Sequence, residues 1–134
     1  MTLPEKNYQL LLKIIPTLFE IKTAAKLHAS GFMPLNVDIL KKQPKKLLIA
    51  LSHYYKHSSG DMIPDPDMVV IVHPEEKTIE AVTYQDCFGF RRVSSEDNFS
   101  INSSTREELN LFLNQWLTNI NNQGHKIAID KSQH

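Results

Sequence analysis

Apolar residues near the start of the chain recur every three or four positions: Tyr8, Leu11, Leu12, Ile15, Leu18 and Phe19. That spacing draws one apolar stripe along a helix, and Pro4 suits a first helical turn because its missing N–H would have no intrahelical partner there. Pro16 removes a backbone donor and crowds the preceding turn, so a kink or stop is expected at that point and the helix is expected to end near residue 20. The period then falls to two. Met33, Leu35, Val37 and Ile39 alternate with Pro34, Asn36 and Asp38, which predicts a strand over 35–40 with one buried face. The segment with Ala25, Leu27 and Ala29, ahead of Ser30-Gly31, reads as its hairpin partner, with a short helix as the alternative.

Lys41, Lys42, Lys45 and Lys46 surround Gln43-Pro44, which reads as a polar turn into Leu47-Leu48-Ile49-Ala50-Leu51-Ser52-His53-Tyr54-Tyr55. This run is apolar on both sides at first, as a central strand would be. Ser58 to Asp61 and Ile63-Pro64-Asp65-Pro66 predict a stiff loop. Met68–His73 and Thr78–Gln85 then form a hairpin about Pro74-Glu75-Glu76-Lys77. Phe88 to Val93 adds another strand, with Phe88, Phe90 and Arg92 on a buried face and Arg91 in solvent. Ser94 to Ser103 is polar connection. Leu109, Phe112, Leu113, Trp116, Leu117 and Ile120 make a helical stripe in which Trp116 belongs to the core; Ser104 to Glu107 has capping-box spacing and Gly124 suits the left-handed residue past the end. The fold class expected is α+β: an antiparallel sheet of about four to six strands packed against an N-terminal and a C-terminal amphipathic helix. One domain spans 1–134, its core about 5–125, with 126–134 as a tail.

With 41% apolar and 22% charged residues in 134, the chain has the composition of an ordinary globular domain. Its apolar runs, such as Val69 to Val72, fall far short of the ~20 residues of a membrane-spanning helix, and the N-terminus lacks the pattern of a secretory signal. Cys87 is the sole cysteine, so no intramolecular disulfide forms; a reducing, cytoplasmic setting fits, and a packed thiol is the plainest reading of the residue. Net charge is zero, yet residues 1–60 carry nine Lys against three acids and residues 61–134 carry six Lys/Arg against twelve acids. Such an asymmetry can guide docking or self-association, while the neutral total argues against a dedicated nucleic-acid binder.

The densest chemistry is His53, Tyr55, His57, Asp61, Asp65 and Asp67, since imidazoles and carboxylates hold metals and move protons. In a strand His53 and His57 would lie ~13 Å apart, too far to share an ion. Asp61, Asp65 and Asp67 could coordinate Mg²⁺ or Ca²⁺ through oxygen, but Met68-Val69 breaks the calcium-loop pattern, and prolines among aspartates describe a rigid turn equally well. Lys41, Lys42, Lys45 and Lys46 could meet phosphate, nucleic acid or an acidic protein patch; a solvated turn is the default. Tyr84, Phe88 and Phe90 with Arg91 and Arg92 could stack on bases, although burial of one strand face explains them more simply. No phosphate loop, Ser-His-Asp set, paired-cysteine zinc motif or HExxH helix occurs, and no cofactor is implied.

Several segments taken together carry a resemblance: Ile15-Pro16, Gly31-Phe32-Met33, His53-Tyr54-Tyr55, Gly60-Asp61, Asp65-Pro66-Asp67-Met68, Tyr84-Gln85-Asp86, and Phe112-Leu113 on to Gly124. Over roughly residues 8–125 they resemble an uncharacterised bacterial family of small domains, often carried by plasmids and integrative elements, with the pattern HYY, NGD, DPDM, YQND and FLxxWLxNLxxQG. Ser59 stands where that pattern has Asn, and Cys87 follows Tyr-Gln-Asp where the pattern has Asn-Asp. A more distant likeness to the YqiB-like bacterial family covers Asp67 to Val93 and the final helix. The resemblance implies the fold, a bacterial origin and the cytoplasm, and supplies no activity; it adds Asp86 to the binding candidates. The reading that follows is a non-enzymatic protein-interaction or accessory module of a mobile element, bound to another protein or to itself and not to a membrane. The alternatives are a metal-dependent hydrolase or nuclease using Asp61, Asp65 and Asp67 with His53 or His57, and a nucleic-acid-binding accessory protein.

Overall fold

A computed structural model describes residues 1–56, 58–94 and 101–127. The first helix, α1 (Leu3–Ile14), opens with a capping box in which Thr2 and Glu5 exchange hydrogen bonds, backbone and side chain. Those bonds to Thr2 hold the Glu5 carboxyl below its ordinary pKa. The helix stops two residues before Pro16, earlier than the apolar spacing implies, and a short 3₁₀ turn over Leu18–Glu20 carries the stripe on, burying Leu18 and leaving Phe19 exposed.

Seven strands follow in one antiparallel sheet: β1 (Ala24–His28), β2 (Leu35–Gln43), β3 (Lys46–Lys56), β4 (Met62–His73), β5 (Thr78–Asp86), β6 (Gly89–Arg92) and, after the second helix α2 (Ser103–Gln123), β7 (Lys126–Ile127). Spatial order is β6-β5-β4-β3-β2-β1-β7, so the first six strands are a meander and β7 closes onto β1. The segment before Ser30-Gly31 is therefore the hairpin strand, paired through Ala25 with Val37 and Leu27 with Leu35. Residues 126 and 127 are sheet rather than tail, which brings the strand count above the expected range. Both helices pack on the same side, and Leu11, Ile15, Leu18, Val37, Ile49, Leu51, Met68, Val70, Leu113, Leu117 and their neighbours form one core there.

Two expectations about local structure fail for identifiable reasons. The stiff loop over 63–66 is strand: Ile63 pairs with Tyr55 and Pro64 with Tyr54. Pairing of β4 with β5 begins only at Asp67, so this stretch has a neighbour on one side, and a proline lacking its N–H is tolerated along the free edge. The capping-box residues Ser104 to Glu107 lie inside α2, whose N-cap is Asn102, accepting from the Thr105 amide at 3.0 Å. Gly124 does end the helix in the left-handed region, φ 83°.

Three asparagines fasten the layers. A register shift leaves Val82 as an extra residue of β5 opposite Val69 and Val70, and the Ala81 N–H there donates to Asn110 Oδ1 at 2.8 Å. Asn7 Nδ2 donates to the Asn110 carbonyl, and Asn114 Nδ2 to Asn7 Oδ1, tying α1, α2 and β5 together.

Candidate functional site

At one end of the core the rings of Tyr84, Phe112, Trp116, His53, His125 and Phe32 follow one another with centroid separations of 5.1, 6.2, 5.4, 6.0 and 6.4 Å. The Pro34 carbonyl lies 2.8 Å from His53 Nδ1, so that nitrogen carries the proton. His125 is buried and places Nε2 2.8 Å from the Met33 carbonyl. Burial, more than the neighbouring His125, pushes the His53 imidazole below its ordinary pKa, favouring a neutral ring in the apolar row. Beside it, the Tyr84 hydroxyl donates to Asp86 at 2.9 Å and is pushed up to about 12, first by burial and then by that carboxylate. Asp86 accepts the Phe88 and Gly89 amides at 2.8 and 3.1 Å, which hold its carboxyl low; it fastens the β5–β6 turn. Imidazole, phenol and carboxylate here all serve packing and turn geometry.

The acidic candidates are dispersed. Asp61 is exposed and takes a hydrogen bond from Ser59 Oγ at 3.2 Å. The charge of Asp65 reaches His53 and Tyr84 on the helix side, whereas that of Asp67 meets Asp38 and the Tyr54 hydroxyl on the other. A register shift between Ser52 and Tyr54 lets both Asp65 and Pro66 face a single residue of β3, which breaks the alternation between the two aspartates. Asp65 and Asp67 therefore lie in strand β4 and not in the rigid turn expected of them, while Asp61 precedes the strand. Among the described residues no three His, Cys, Asp or Glu side chains gather as a metal would require. Tyr55 lies in β3, and His57 falls outside the described residues.

The four lysines do not share one turn: Lys41 and Lys42 are in β2, Lys45 is in the turn and Lys46 opens β3, all exposed. Lys42 Nζ donates to the Phe19 carbonyl at 3.3 Å, while Lys45 and Lys46 border a hollow of about 570 Å³ with Gln43, Pro44, His73 and Glu76. The β6 hairpin also departs from expectation. Phe88 is 94% exposed, Phe90 is exposed, and Cys87 is an exposed thiol and not a packed one. Among the described residues β6 is the last strand on its side, with no further strand beside it.

The larger surface is one that ring and charge counting missed: the sheet face turned away from the helices. Pairing register arranges it in rows. One runs Lys26, Asn36, Ser52, Asp67, Gln85 and Phe90 from β1 to β6. The next runs Ala24, Asp38, Ala50, Val69, Thr83 and Arg92, and a third runs Lys41, Leu48, Ile71 and Glu80 from β2 to β5. Among the described residues no helix lies on this side; Ala50 and Ser52 are buried within it, and the other side chains of these rows are half-buried or exposed. Leu48, Ala50, Val69 and Ile71 make an apolar centre inside a rim of Lys41, Asp38, Asp67 and Glu80. Ser52 Oγ is buried in this layer without a hydrogen-bond partner. Burial, then repulsion from Asp38, raises the Asp67 carboxyl above its ordinary value against the Tyr54 hydrogen bond. The signal in the sequence was the second set of alternating positions in β3 and β4, apolar where a solvated face would be polar throughout.

These features define an α+β protein in which a seven-stranded antiparallel sheet is covered on one face by two helices, with no helix on the other among the described residues. The chain belongs to the family described as a domain of unknown function (DUF6908), which matches residues 6–126. No curated protein and no solved structure gives a significant match. No helix among the described residues is long and apolar enough to cross a membrane.

Proposed function

We propose that the protein is a non-enzymatic interaction module, a cytoplasmic accessory protein of a bacterial mobile element, that docks through the open face of its sheet. The observation that carries this reading is the apolar centre of Leu48, Ala50, Val69 and Ile71 with its charged rim, on a face that no described helix covers. A patch of that make-up is how a soluble domain presents an interface: apolar where water is excluded, charged where partners are selected. Among the described residues Asp61, Asp65 and Asp67 do not gather into a metal-binding group, and His53, Tyr84 and Asp86 are engaged in hydrogen bonds within the fold, which favours the docking reading over the hydrolase one. The mobile-element setting rests on the resemblance of the quoted segments alone.

The test is photo-crosslinking in cells from a reactive residue at position 69, with the solvent-facing Lys13 of α1 as the control position. We expect a discrete adduct of stoichiometric yield from position 69, absent from position 13 and absent when Ile71→Arg accompanies the probe. Equal background from both positions would overturn the docking reading. So would a rise of several degrees in melting temperature on adding Mg²⁺, Mn²⁺ or Ca²⁺ that Asp61, Asp65 and Asp67→Asn together abolish; that outcome would install the metal-dependent enzyme instead.

A further inference from the structure

We propose that the occupant of the open face is the same face of a second copy, related by a twofold axis that runs along the strands between β3 and β4. This rests on the reading of that face as a docking surface and names its partner. A rotation about such an axis exchanges β3 with β4 and β2 with β5 while keeping each row at its own height. The row Lys41, Leu48, Ile71, Glu80 then lies over itself in reverse: each lysine faces a glutamate and each Leu48 faces an Ile71. In the neighbouring row Ala50 faces Val69, and Asp38 faces Thr83 with Arg92 beside it.

The sheet has an irregularity between Ile39 and Lys41 on β2 and another between Ala81 and Thr83 on β5, one strand outside the central pair on either side. Ile39, Ile49, Val70 and Ala81 are paired across the sheet in one row, and the extra residues flank it from opposite sides, Leu40 toward the row of Lys41 and Val82 toward the row of Thr83.

Charge selects the axis. The basic first part of the chain forms β1 to β3 and the acidic second part contributes β4 and β5, so a twofold along the strands lays the basic half of each sheet over the acidic half of the other. A twofold across the strands would instead keep each strand over itself, the basic half over the basic half and the acidic half over the acidic half. The chosen axis gives an isologous, closed pair with aligned sheets, the arrangement sandwiches adopt. Glu80 gives Oε1 to Arg106 within its own chain, and Oε2 is the atom assigned to Lys41 of the second copy. The face measures roughly 24 by 20 Å at normal strand spacing, about 500 Å² of flat area, which sets the pair at the small end of stable interfaces.

Sedimentation of the full chain from about 1 µM to about 1 mM reads the equilibrium directly. We expect monomer to pass to dimer across that span. Lys41→Glu and Glu80→Lys should each weaken the dimer at least ~10-fold. Mixing the two single variants should restore it, because every contact across the twofold then joins opposite charges; the double variant should restore it as well. Melting curves identify a variant that has lost its fold, and Val69→Arg supplies an independent break in the apolar centre. A parent that stays monomeric throughout, or a dimer indifferent to both reversals and to Val69→Arg, overturns the proposal. If the parent is monomeric while position 69 still crosslinks a different protein in cells, the second-copy assignment fails and the docking reading stands.

Discussion

The two faces of the same sheet are built from similar residues and have different fates. On β4, Met68, Val70 and Val72 are wholly excluded from solvent beneath the helices, while Val69 and Ile71, one position along and just as apolar, lie on the open side half-buried. What separates them is the covering layer. Asn110 fastens α2 to the irregularity in β5, Asn7 fastens α1 to α2, and the stripes of both helices are thereby committed to one side. Residue type tells that β4 is a strand, and the asparagine contacts tell which of its faces is closed.

Opposite-face neighbours test this most severely. Val70→Arg places a charge in the closed core and should cost more than about 4 kcal/mol, enough to leave the chain unfolded or nearly so. Val69→Arg points its guanidinium to water and should change the stability of the single chain by no more than about 1 kcal/mol. Urea unfolding of the pair at a concentration that keeps the protein monomeric decides it; equal losses would mean that the open face is covered within one chain. Next in size is Trp116→Ala on the closed side. The indole is 7% exposed and packs against His53 and Phe112, so its removal should cost ~3–5 kcal/mol.

Asn110→Leu tests the fastening itself. The main-chain carbonyl that receives Asn7 remains, but the Ala81 N–H loses its acceptor inside the core, and an orphaned buried donor costs about 1–3 kcal/mol. Hydrogen exchange at Ala81 should accelerate more than at Met68 or Val70 if the bond is what guards the irregularity. A uniform acceleration along β4 and β5 would show that Asn110 matters only as packing.

Much of this architecture could be read from residue order, and the failures share a cause. The period of three to four in α2, the alternation in 35–40, the Gly124 terminus and the burial of Trp116 are local signals, and each is found where it points. Pro64 and Pro66 misled because a proline marks a missing donor, not a missing strand; only the staggered start of β5 shows that the donor is not needed there. Phe88 and Phe90 misled because alternation states that residues share a face without stating whether anything covers it. The acidic candidates were close in sequence but are divided between opposite sides of β4, a consequence of the register shift near Ser52 that no spacing rule contains. Glu80 and Lys41, separated by thirty-nine positions, share a row only through two intervening strands, so nothing short of the pairing register could associate them.

The smallest effect concerns Asp67, where the open face is neither solvent nor core. Its carboxyl is raised by burial first and by Asp38 second, so the folded chain holds that proton more tightly than the unfolded chain, whose value is 3.8. Stability from this group is therefore fully present below pH 3.8 and is lost as pH rises through the higher folded value, leaving an ionised Asp67 that is a net burden at neutral pH. Asp67→Asn keeps an oxygen for the Tyr54 hydroxyl and removes the charge, so at pH 7 the variant should be more stable than the parent by up to about 1 kcal/mol. The gain should shrink as both proteins are brought toward pH 3.5, where the parent carboxyl is neutral too. Asp38→Asn should recover only part of it, since repulsion is the lesser cause. Unfolding of the three proteins across pH 3.5–7.5 distinguishes the outcomes. A destabilised Asp67→Asn at neutral pH would mean that the charged hydrogen bond from Tyr54 outweighs burial, and that this corner of the open face is as wet as its rim.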